Sequence, residues 1–254
     1  MQKNFLIKDL GRDLLSVMFP PVCPLCEKTM AFSRAGYACK TCEPKIEYIK
    51  GATCMKCGKQ LLLDEKEYCS LCKKSMFHFK RGFVTFLYEG NIRDMLLKFK
   101  YKGRRDLGLF FANASLDKFE EELRSLNLDA VIPIPVHKDR LKKRGYNQAE
   151  VFGNLIADAL GIPCYGDLLV RKKATVVQKE LDTRGRLANL MDAFSVNEAE
   201  LRRITKKDNS SLKRIILVDD IFTTGSTIEA STLILMEAGT TEAYALCVAS
   251  SVGY

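Results

Sequence analysis

The residues best suited to chemistry lie at positions 215–227, where four apolar residues precede two adjacent carboxylates and a loop of small residues. The apolar run predicts a parallel strand buried on both faces, and open α/β sheets bind ligands where their strands end. The carboxylates, Asp219 and Asp220, can accept hydrogen bonds from sugar hydroxyls. Backbone amides at the start of the following helix favour a phosphate. This order predicts a sugar-phosphate site whose loop consists of Thr223, Thr224, Gly225, Ser226 and Thr227.

The helix after this loop is expected to run from about Ser226 to Ala238. Ser226 or Thr224 would be its N-cap and Gly239 its C-terminal stop. The pattern Asp-Asp-x-x-Thr-Thr-Gly-x-Thr after a buried strand resembles the loop of type I phosphoribosyltransferases that binds phosphoribosyl pyrophosphate (PRPP). The resemblance implies that the carboxylates fix the ribose, that the loop holds the 5′-phosphate, and that a magnesium ion accompanies PRPP.

Eight cysteines near the N-terminus form four Cys-x-x-Cys pairs, with 12, 11 and 11 residues between successive pairs. One pair presents two thiolates to a tetrahedral ion, and two pairs complete a structural zinc site. Two zinc ions are therefore expected. Sequential pairing is favoured over an interleaved cross-brace, because short loops close at lower entropic cost. The predicted ligands are Cys23, Cys26, Cys39 and Cys42 for one ion, and Cys54, Cys57, Cys69 and Cys72 for the other.

Other uses of these cysteines fit the sequence less well. Disulfides would require an oxidising compartment, whereas the rest of the chain reads as a cytosolic enzyme fold. An iron-sulfur cluster is a further alternative. A site filled by four protein thiolates leaves no open position, so we expect a structural rather than a catalytic metal. Cys164 and Cys247 lie in apolar sequence and are predicted core residues.

Strands that alternate with helices predict a doubly wound parallel sheet in residues 81–254. A zinc module is expected at residues 21–80, after an amphipathic helix at residues 1–20. That helix lacks the continuous apolar core of a signal peptide, and no membrane span fits, so we expect a cytoplasmic protein. The predicted strands are 83–88, 130–135, 194–196, 215–218 and 243–250, and the predicted helices are 91–101, 106–125, 147–160 and 226–238.

The net charge of +9 is concentrated at the N-terminus, where residues 1–82 contain 15 Lys and Arg against 8 Asp and Glu. Eight thiolates and two zinc ions would lower the charge of this module to about +3. A second basic segment, between residues 93 and 105, interleaves cations with aromatic rings, a pattern that suits single-stranded nucleic acid. The equally weighted alternative is that Phe99 is a core residue and the charges are solvated. The candidate DNA contacts are Arg93, Lys98, Lys100, Tyr101, Lys102, Arg104 and Arg105.

Three further segments resemble ComF-type competence proteins. They are Val131 to Ala149, Thr175 to Phe194, and the approach to the first zinc pair, Phe19 to Cys26. Taken with the PRPP loop, the resemblance spans the whole chain and implies a type I phosphoribosyltransferase-like domain behind a double zinc ribbon. It also implies a pyrophosphate loop at His137, Lys138 and Arg140, and a flexible loop containing Gln178 and Arg184.

The resemblance favours a competence factor that handles incoming single-stranded DNA, with PRPP or a similar phosphoribosyl group as ligand, substrate or sensor. A DNA-uptake helicase or a DNA-processing protein is the implied partner, and it would hold the protein at the inner face of the membrane. The alternative is an active phosphoribosyltransferase of nucleotide or cofactor metabolism that uses zinc ribbons as its hood. A zinc-dependent interaction protein with a vestigial PRPP loop is a third reading. The sequence leaves the acceptor, and whether catalysis occurs, open.

Overall fold

A computed structural model describes residues 20–172, 190–208 and 212–251. The helix predicted for residues 1–20 therefore lies almost wholly outside the described residues, as do Gln178 and Arg184 of the predicted flexible loop. The strands are β1 (Gly82–Leu87), β2 (Ala130–Pro133), β3 (Leu169–Arg171), β4 (Phe194–Val196), β5 (Arg214–Phe222) and β6 (Glu242–Ser250). The helices are α1 (Ser70–Lys74), α2 (Gly90–Tyr101), α3 (Leu107–Ser125), α4 (Lys138–Arg144), α5 (Gln148–Leu160), α6 (Glu198–Asp208) and α7 (Ser226–Glu237).

The main sheet is parallel throughout and has the strand order β1-β6-β5-β2. Its central strands are buried on both faces, so their sequences are continuous apolar runs. In β5, Ile216 and Val218 pack in the same cluster as α3 and α5, whereas Ile215 and Leu217 pack in the cluster that contains α7. Helices therefore cover both faces, which confirms the predicted doubly wound α/β architecture.

The ends of α5 follow from its sequence. Asn147 is the N-cap, and its side-chain oxygen accepts a hydrogen bond from the Ala149 N–H at 3.2 Å. Gly161 ends the helix at a φ of 72°, a left-handed conformation that glycine adopts without steric cost. The prediction for this helix is confirmed to within one residue.

The start of α7 differs from the prediction. Its N-cap is Gly225, at a φ of 74°, and neither Ser226 nor Thr224 caps the helix. The hydroxyls of these two residues lie 3.0 Å apart and bond to each other. A left-handed residue is needed to turn the chain from β5 into α7, so glycine takes the cap position.

Five elements were missed or placed wrongly, and of these β3 and α1 were not predicted at all. Strand β4 was predicted, but it pairs with β3 in a separate antiparallel sheet instead of joining the parallel one. Helix α4 occupies the segment expected to be a pyrophosphate loop, and α6 was not predicted. Both helices are strongly charged and short of apolar residues, so they lack the apolar periodicity on which sequence prediction relies.

The N-terminal module lies along the edge of the sheet at β1. Ile49 N–H donates to Thr85 O at 3.0 Å, and Leu87 N–H donates to Glu47 O at 2.8 Å, so the segment between the two cysteine clusters covers that edge. Cys23 and Cys42 pack with the α3 side of the sheet, and Cys54 and Cys57 with the α7 side. Among the described residues, no helix combines the length and apolarity that crossing a bilayer requires.

Candidate functional site

The eight N-terminal cysteines form two clusters of four. Cys23, Cys26, Cys39 and Cys42 make one, Cys54, Cys57, Cys69 and Cys72 the other, and within each the sulfurs lie within 4.8 Å of one another. Cys26 and Cys39 sulfurs are 3.8 Å apart, and those of Cys57 and Cys69 3.6 Å. Four sulfurs around one zinc at 2.3 Å would be separated by about 3.8 Å, so both clusters fit a tetrahedral zinc. The predicted sequential pairing is confirmed.

The two clusters repeat the same knuckle. Cys23 O accepts from Glu27 N–H at 2.9 Å, and Cys54 O accepts from Gly58 N–H at the same distance. The residue that closes each turn has a positive φ, 58° at Glu27 and 75° at Gly58. Gly58 has a second constraint, because a Cβ there would lie 2.4 Å from Gly82 O. The second knuckle is therefore built against the start of β1.

The carboxylate pair lies within β5, one residue beyond the point where β2 stops pairing with it. Asp220 N–H donates to Asp219 Oδ1 at 2.8 Å. Ile134 N–H donates to Val218 O at 2.9 Å, which places the segment after β2 beside the carboxylates. Asn147 holds that segment from the other side, because its Nδ2 donates to Ile134 O at 3.0 Å. The predicted end of the strand at Val218 is wrong: β5 continues to Phe222, still paired with β6, so the carboxylates lie within the strand and only beyond its pairing with β2.

Lys100 reaches the carboxylate pair from the last turn of α2. Its Nζ lies 2.9 Å from Asp220 Oδ2, and the two side chains are only 15% and 16% exposed. The sequence suggested Lys100 as a DNA contact, but the structure places it in the carboxylate site. Such a half-buried ion pair holds Asp220 in one orientation. A ligand that takes up the Asp220 carboxylate must replace or share this ammonium group.

Asp219 is electrostatically unusual. Burial, and then the charge of Asp220, raises the pKa of Asp219 to about 7 from its ordinary value of 3.8. Burial, and then the charge of Arg140, lowers the pKa of Arg171 in β3, and the nearby Asp219 opposes this shift. Lys100 and Arg171 are thus site residues that sequence reasoning missed, since each comes from an element far away along the chain.

We predict that Asp219→Asn stabilises the protein at alkaline pH. The pKa of Asp219 is higher in the folded protein than in the unfolded chain. As the pH rises from about 4 towards 7, the unfolded chain therefore loses this proton first, and the free energy of unfolding falls. The variant should melt several degrees above the wild type at pH 8, and the gap should shrink towards pH 5. Thermal unfolding followed by circular dichroism measures this difference.

The matched control is Asp94→Asn, at an exposed position of α2, whose melting temperature should not depend on pH in this way. A difference in melting temperature between Asp219→Asn and the wild type that does not change with pH would contradict the raised pKa of Asp219.

The loop after β5 provides a cradle at the N-terminus of α7. Gly225 is buried, and a Cβ there would lie 2.8 Å from the Phe222 ring and 3.0 Å from the Phe77 ring. Ser226 is buried, whereas Thr223 is exposed and Thr224 and Thr227 are partly buried. Free backbone amides in the first turn of a 12-residue helix form an anion site. A phosphate at this loop stays a prediction.

The predicted pyrophosphate residues have separate positions in α4. His137 is the buried N-cap, and its Nδ1 accepts from the Asp139 N–H at 3.3 Å. Lys138 and Arg140 are exposed. Of the three, the two cations are the groups available to an anionic ligand, while His137 orients the helix that carries them.

The basic segment between residues 93 and 105 is only partly open to a ligand. Lys98 and Arg104 both pair with Glu27 of the first knuckle, at 3.4 and 2.7 Å. Arg105 donates to Gly145 O at 2.9 Å. Phe99 is fully buried, which confirms the alternative prediction that it is a core residue. Arg93 and Lys102 are exposed.

Tyr101 remains on the surface, 58% exposed. Arg144 of α4 lies over its ring, with Cζ 4.7 Å from the centroid, and donates to its hydroxyl at 3.0 Å. The C-terminus of α2 and the basic helix α4 are therefore neighbours. Together they form a cationic surface, defined here as Tyr101, Lys102, Arg105, Lys142 and Lys143, beside the carboxylate site.

The fold and site define a mixed α/β protein with a parallel sheet, a carboxylate pair in β5 followed by the Gly225 loop, and an N-terminal double zinc ribbon. Residues 14–73 match the family described as the double zinc ribbon domain. The chain is 26% identical to Competence protein F of Haemophilus influenzae, covering 87% of this chain and 93% of that protein. It is 29% identical to Competence protein ComFC of Streptococcus pneumoniae, covering 79% and 82%. The expected resemblance to ComF-type competence proteins is confirmed.

Among solved structures, the chain is similar to adenine phosphoribosyltransferase from Trypanosoma brucei in complex with AMP, pyrophosphate and ribose-5-phosphate. The identity is 12%, the TM-score is 0.34, and the match covers 59% of this chain and 55% of that enzyme.

Proposed function

We propose that this protein binds PRPP at the carboxylate pair and serves in DNA uptake. The observation that carries the proposal is the placement of Asp219 and Asp220 within one strand, directly before the buried Gly225 loop and the N-terminus of α7. Two adjacent carboxylates suit the vicinal hydroxyls of ribose, and the helix start suits the 5′-phosphate. The short segment from Ile221 to Thr224 sets the distance between the carboxylate pair and the start of α7.

The remaining residues fit the charges of PRPP. Lys138 and Arg140 are exposed at the start of α4 and would face the pyrophosphate, with Arg171 close to Arg140. Asp219 and Asp220 offer the oxygen ligands that Mg²⁺ prefers, so an ion carried in by pyrophosphate fits this corner of the site. Bound magnesium would neutralise charge on the leaving pyrophosphate. Lys100 would then exchange its partner, moving from Asp220 towards a ligand oxygen.

The role in competence rests on the similar proteins and on the cationic surface. Two curated relatives are named as competence proteins, and the similarity covers most of each chain. The cationic surface combines an exposed ring, Tyr101, with surrounding cations, which suits a single strand. It lies beside the carboxylate site, because Lys100 and Tyr101 are adjacent in α2. We therefore infer a cytoplasmic protein that binds single-stranded DNA next to its phosphoribosyl site, with a DNA-uptake helicase or DNA-processing protein as partner.

We predict that DNA binding is weak and falls steeply with salt, because neutralised phosphates release counterions. Lys98 and Lys100 already have carboxylate partners, so Lys102 and Lys142 are the better cations to remove. Lys102→Ala/Lys142→Ala should lower the log-log salt slope by about 1.4, at about 0.7 for each lost contact on a single strand. Fluorescence anisotropy with a labelled single strand measures the slope.

The matched control removes two exposed cations from α6 as Arg202→Ala/Lys206→Ala. This variant has the same net charge as the first, so it should keep the wild-type slope. Equal slopes for the two variants would show that attraction is diffuse and would remove the cationic surface from the proposal. Absence of binding at low salt would favour the metabolic alternative.

An assay of PRPP turnover distinguishes the proposed competence role from that of a metabolic phosphoribosyltransferase. Pyrophosphate release from PRPP is measured with each nucleobase and with a short single strand as acceptor. Binding without base-dependent release supports a ligand or sensor role. Release with one nucleobase, and its loss in Asp220→Asn, would establish the enzyme instead.

A further inference from the structure

Three consecutive residues between the second zinc ribbon and β1 contact the Gly225 loop and the two elements it joins, β5 and α7. The Phe77 ring lies against Gly225, 3.0 Å from the position that a Cβ would take. The Phe79 ring is fully buried and meets Phe222 edge-on, with centroids 6.3 Å apart. His78, between them, binds Glu229 of α7. One short segment thus contacts the end of β5, the glycine of the loop and the first turn of α7.

Glu229 anchors this contact. Its side chain is 2% exposed, and a buried carboxylate is costly unless donors surround it. His78 N–H donates to Glu229 Oε2 at 2.9 Å, and His78 Nδ1 bonds the other oxygen. His78 itself is 47% exposed, and its two bonds to Glu229 hold it at the surface. Glu229 N–H donates to Gly225 O at 2.8 Å, which ties the same residue to the loop.

The segment is fixed in turn by the second zinc knuckle. Lys56 lies between the zinc ligands Cys54 and Cys57, and its Nζ is 5.2 Å from the Phe79 ring centroid. Gly82 N–H donates to Lys56 O at 2.7 Å. The knuckle backbone is therefore bonded to the start of β1, immediately after the contacting segment. Within the described residues, the buried cysteines of the first ribbon pack on the opposite face of the sheet, away from α7.

We propose that Phe77 and His78 are positioning residues, through which the second zinc ribbon holds the Gly225 loop in its phosphate-binding conformation. The proposal rests on the proposed function for the identity of the ligand, but not for the coupling itself. Zinc in the second cluster then stabilises the ligand site, whereas zinc in the first cluster supports only its own ribbon and the α3 face. The zinc ribbons have different tasks.

The test compares His78→Ala with His78→Asn, whose side-chain amide can replace the Nδ1 donor. Hydrogen exchange of the peptide covering residues 221–232 is followed by mass spectrometry, and PRPP affinity by calorimetry with Mg²⁺. His78→Ala should speed exchange and weaken PRPP at least about tenfold, the effect of losing a hydrogen bond to a charged group. His78→Asn should restore both. Tyr37→Phe, which removes a bond from the first ribbon to Asp117 of α3, should change neither.

A zinc readout completes the design. Cys69→Ser should lose one zinc and PRPP binding together, whereas Cys39→Ser should lose one zinc and keep PRPP binding. Unchanged exchange at residues 221–232 in His78→Ala would overturn the coupling. If the wild type fails to bind PRPP, the exchange and zinc results still decide the coupling, so that failure belongs to the proposed function alone.

Discussion

Asp220→Ala is expected to abolish PRPP binding while the protein remains folded. Its carboxylate is the one that carries the Lys100 ion pair at 2.9 Å, and it is partly open to solvent at the strand edge. Substitution removes the hydrogen bonds that a carboxylate makes to ribose hydroxyls, at about 1.5–3 kcal/mol each, so two bonds correspond to a loss of about a hundredfold or more. Removing one partner of an ion pair in which Lys100 is only 15% exposed costs some folding free energy, but Asp219 remains close enough to share the charge of Lys100.

Calorimetry with PRPP and Mg²⁺ measures the effect, with thermal unfolding as the check on folding. The matched control is Asp94→Ala, which removes an exposed carboxylate on the same helix as Lys100. It should bind PRPP as the wild type does. Undiminished affinity in a folded Asp220→Ala protein would remove the basis for placing any sugar at the pair. Thr224→Val should weaken binding less, because the backbone amides of the loop remain.

The second large effect concerns zinc. The protein purified without added metal should contain two zinc ions per chain, and Cys39→Ser should contain one. Structural zinc contributes about 10–16 kcal/mol of apparent binding free energy to small modules, so losing one ligand should unfold the first ribbon. Elemental analysis gives the ratio, and hydrogen exchange locates the loss at residues 20–46. Sequential pairing predicts that the second cluster stays protected.

Cys164→Ser serves as the control for this experiment. Cys164 lies outside both clusters, and burial raises the pKa of its thiol to about 12, so it is a neutral thiol and not a ligand. The variant should keep two zinc ions. Zinc near zero in the wild type, or cysteines joined as disulfides, would contradict the account. Loss of protection in both ribbons of Cys39→Ser would indicate an interleaved site instead.

The features that the sequence predicted well are local ones. The cysteine spacing determined both zinc clusters, because two Cys-x-x-Cys pairs a dozen residues apart can close around one ion without help from other elements. The strand at Ile215 and the helix at Asn147 were predicted since their apolar runs and caps lie within the element itself. The carboxylate pair followed from the same strand.

The features that it missed depend on contacts between distant residues. Lys100 and Asp220 are 120 positions apart in the sequence, and His78 and Glu229 are separated by 151. No local pattern distinguishes a lysine that pairs with a ligand site from one that is solvated. The cap at Gly225 was also missed, because the choice among Thr224, Gly225 and Ser226 depends on the turn that Phe222 and Phe77 impose.

Titration calorimetry of the zinc-loaded wild type with PRPP and Mg²⁺ tests the central claim most directly, repeated with a short single strand present. We expect one saturable site per chain that requires Mg²⁺, and a single strand that binds beside PRPP without displacing it. Absence of heat at millimolar PRPP, in folded protein that contains both zinc ions, would contradict the assignment of Asp219, Asp220 and the Gly225 loop to a phosphoribosyl ligand.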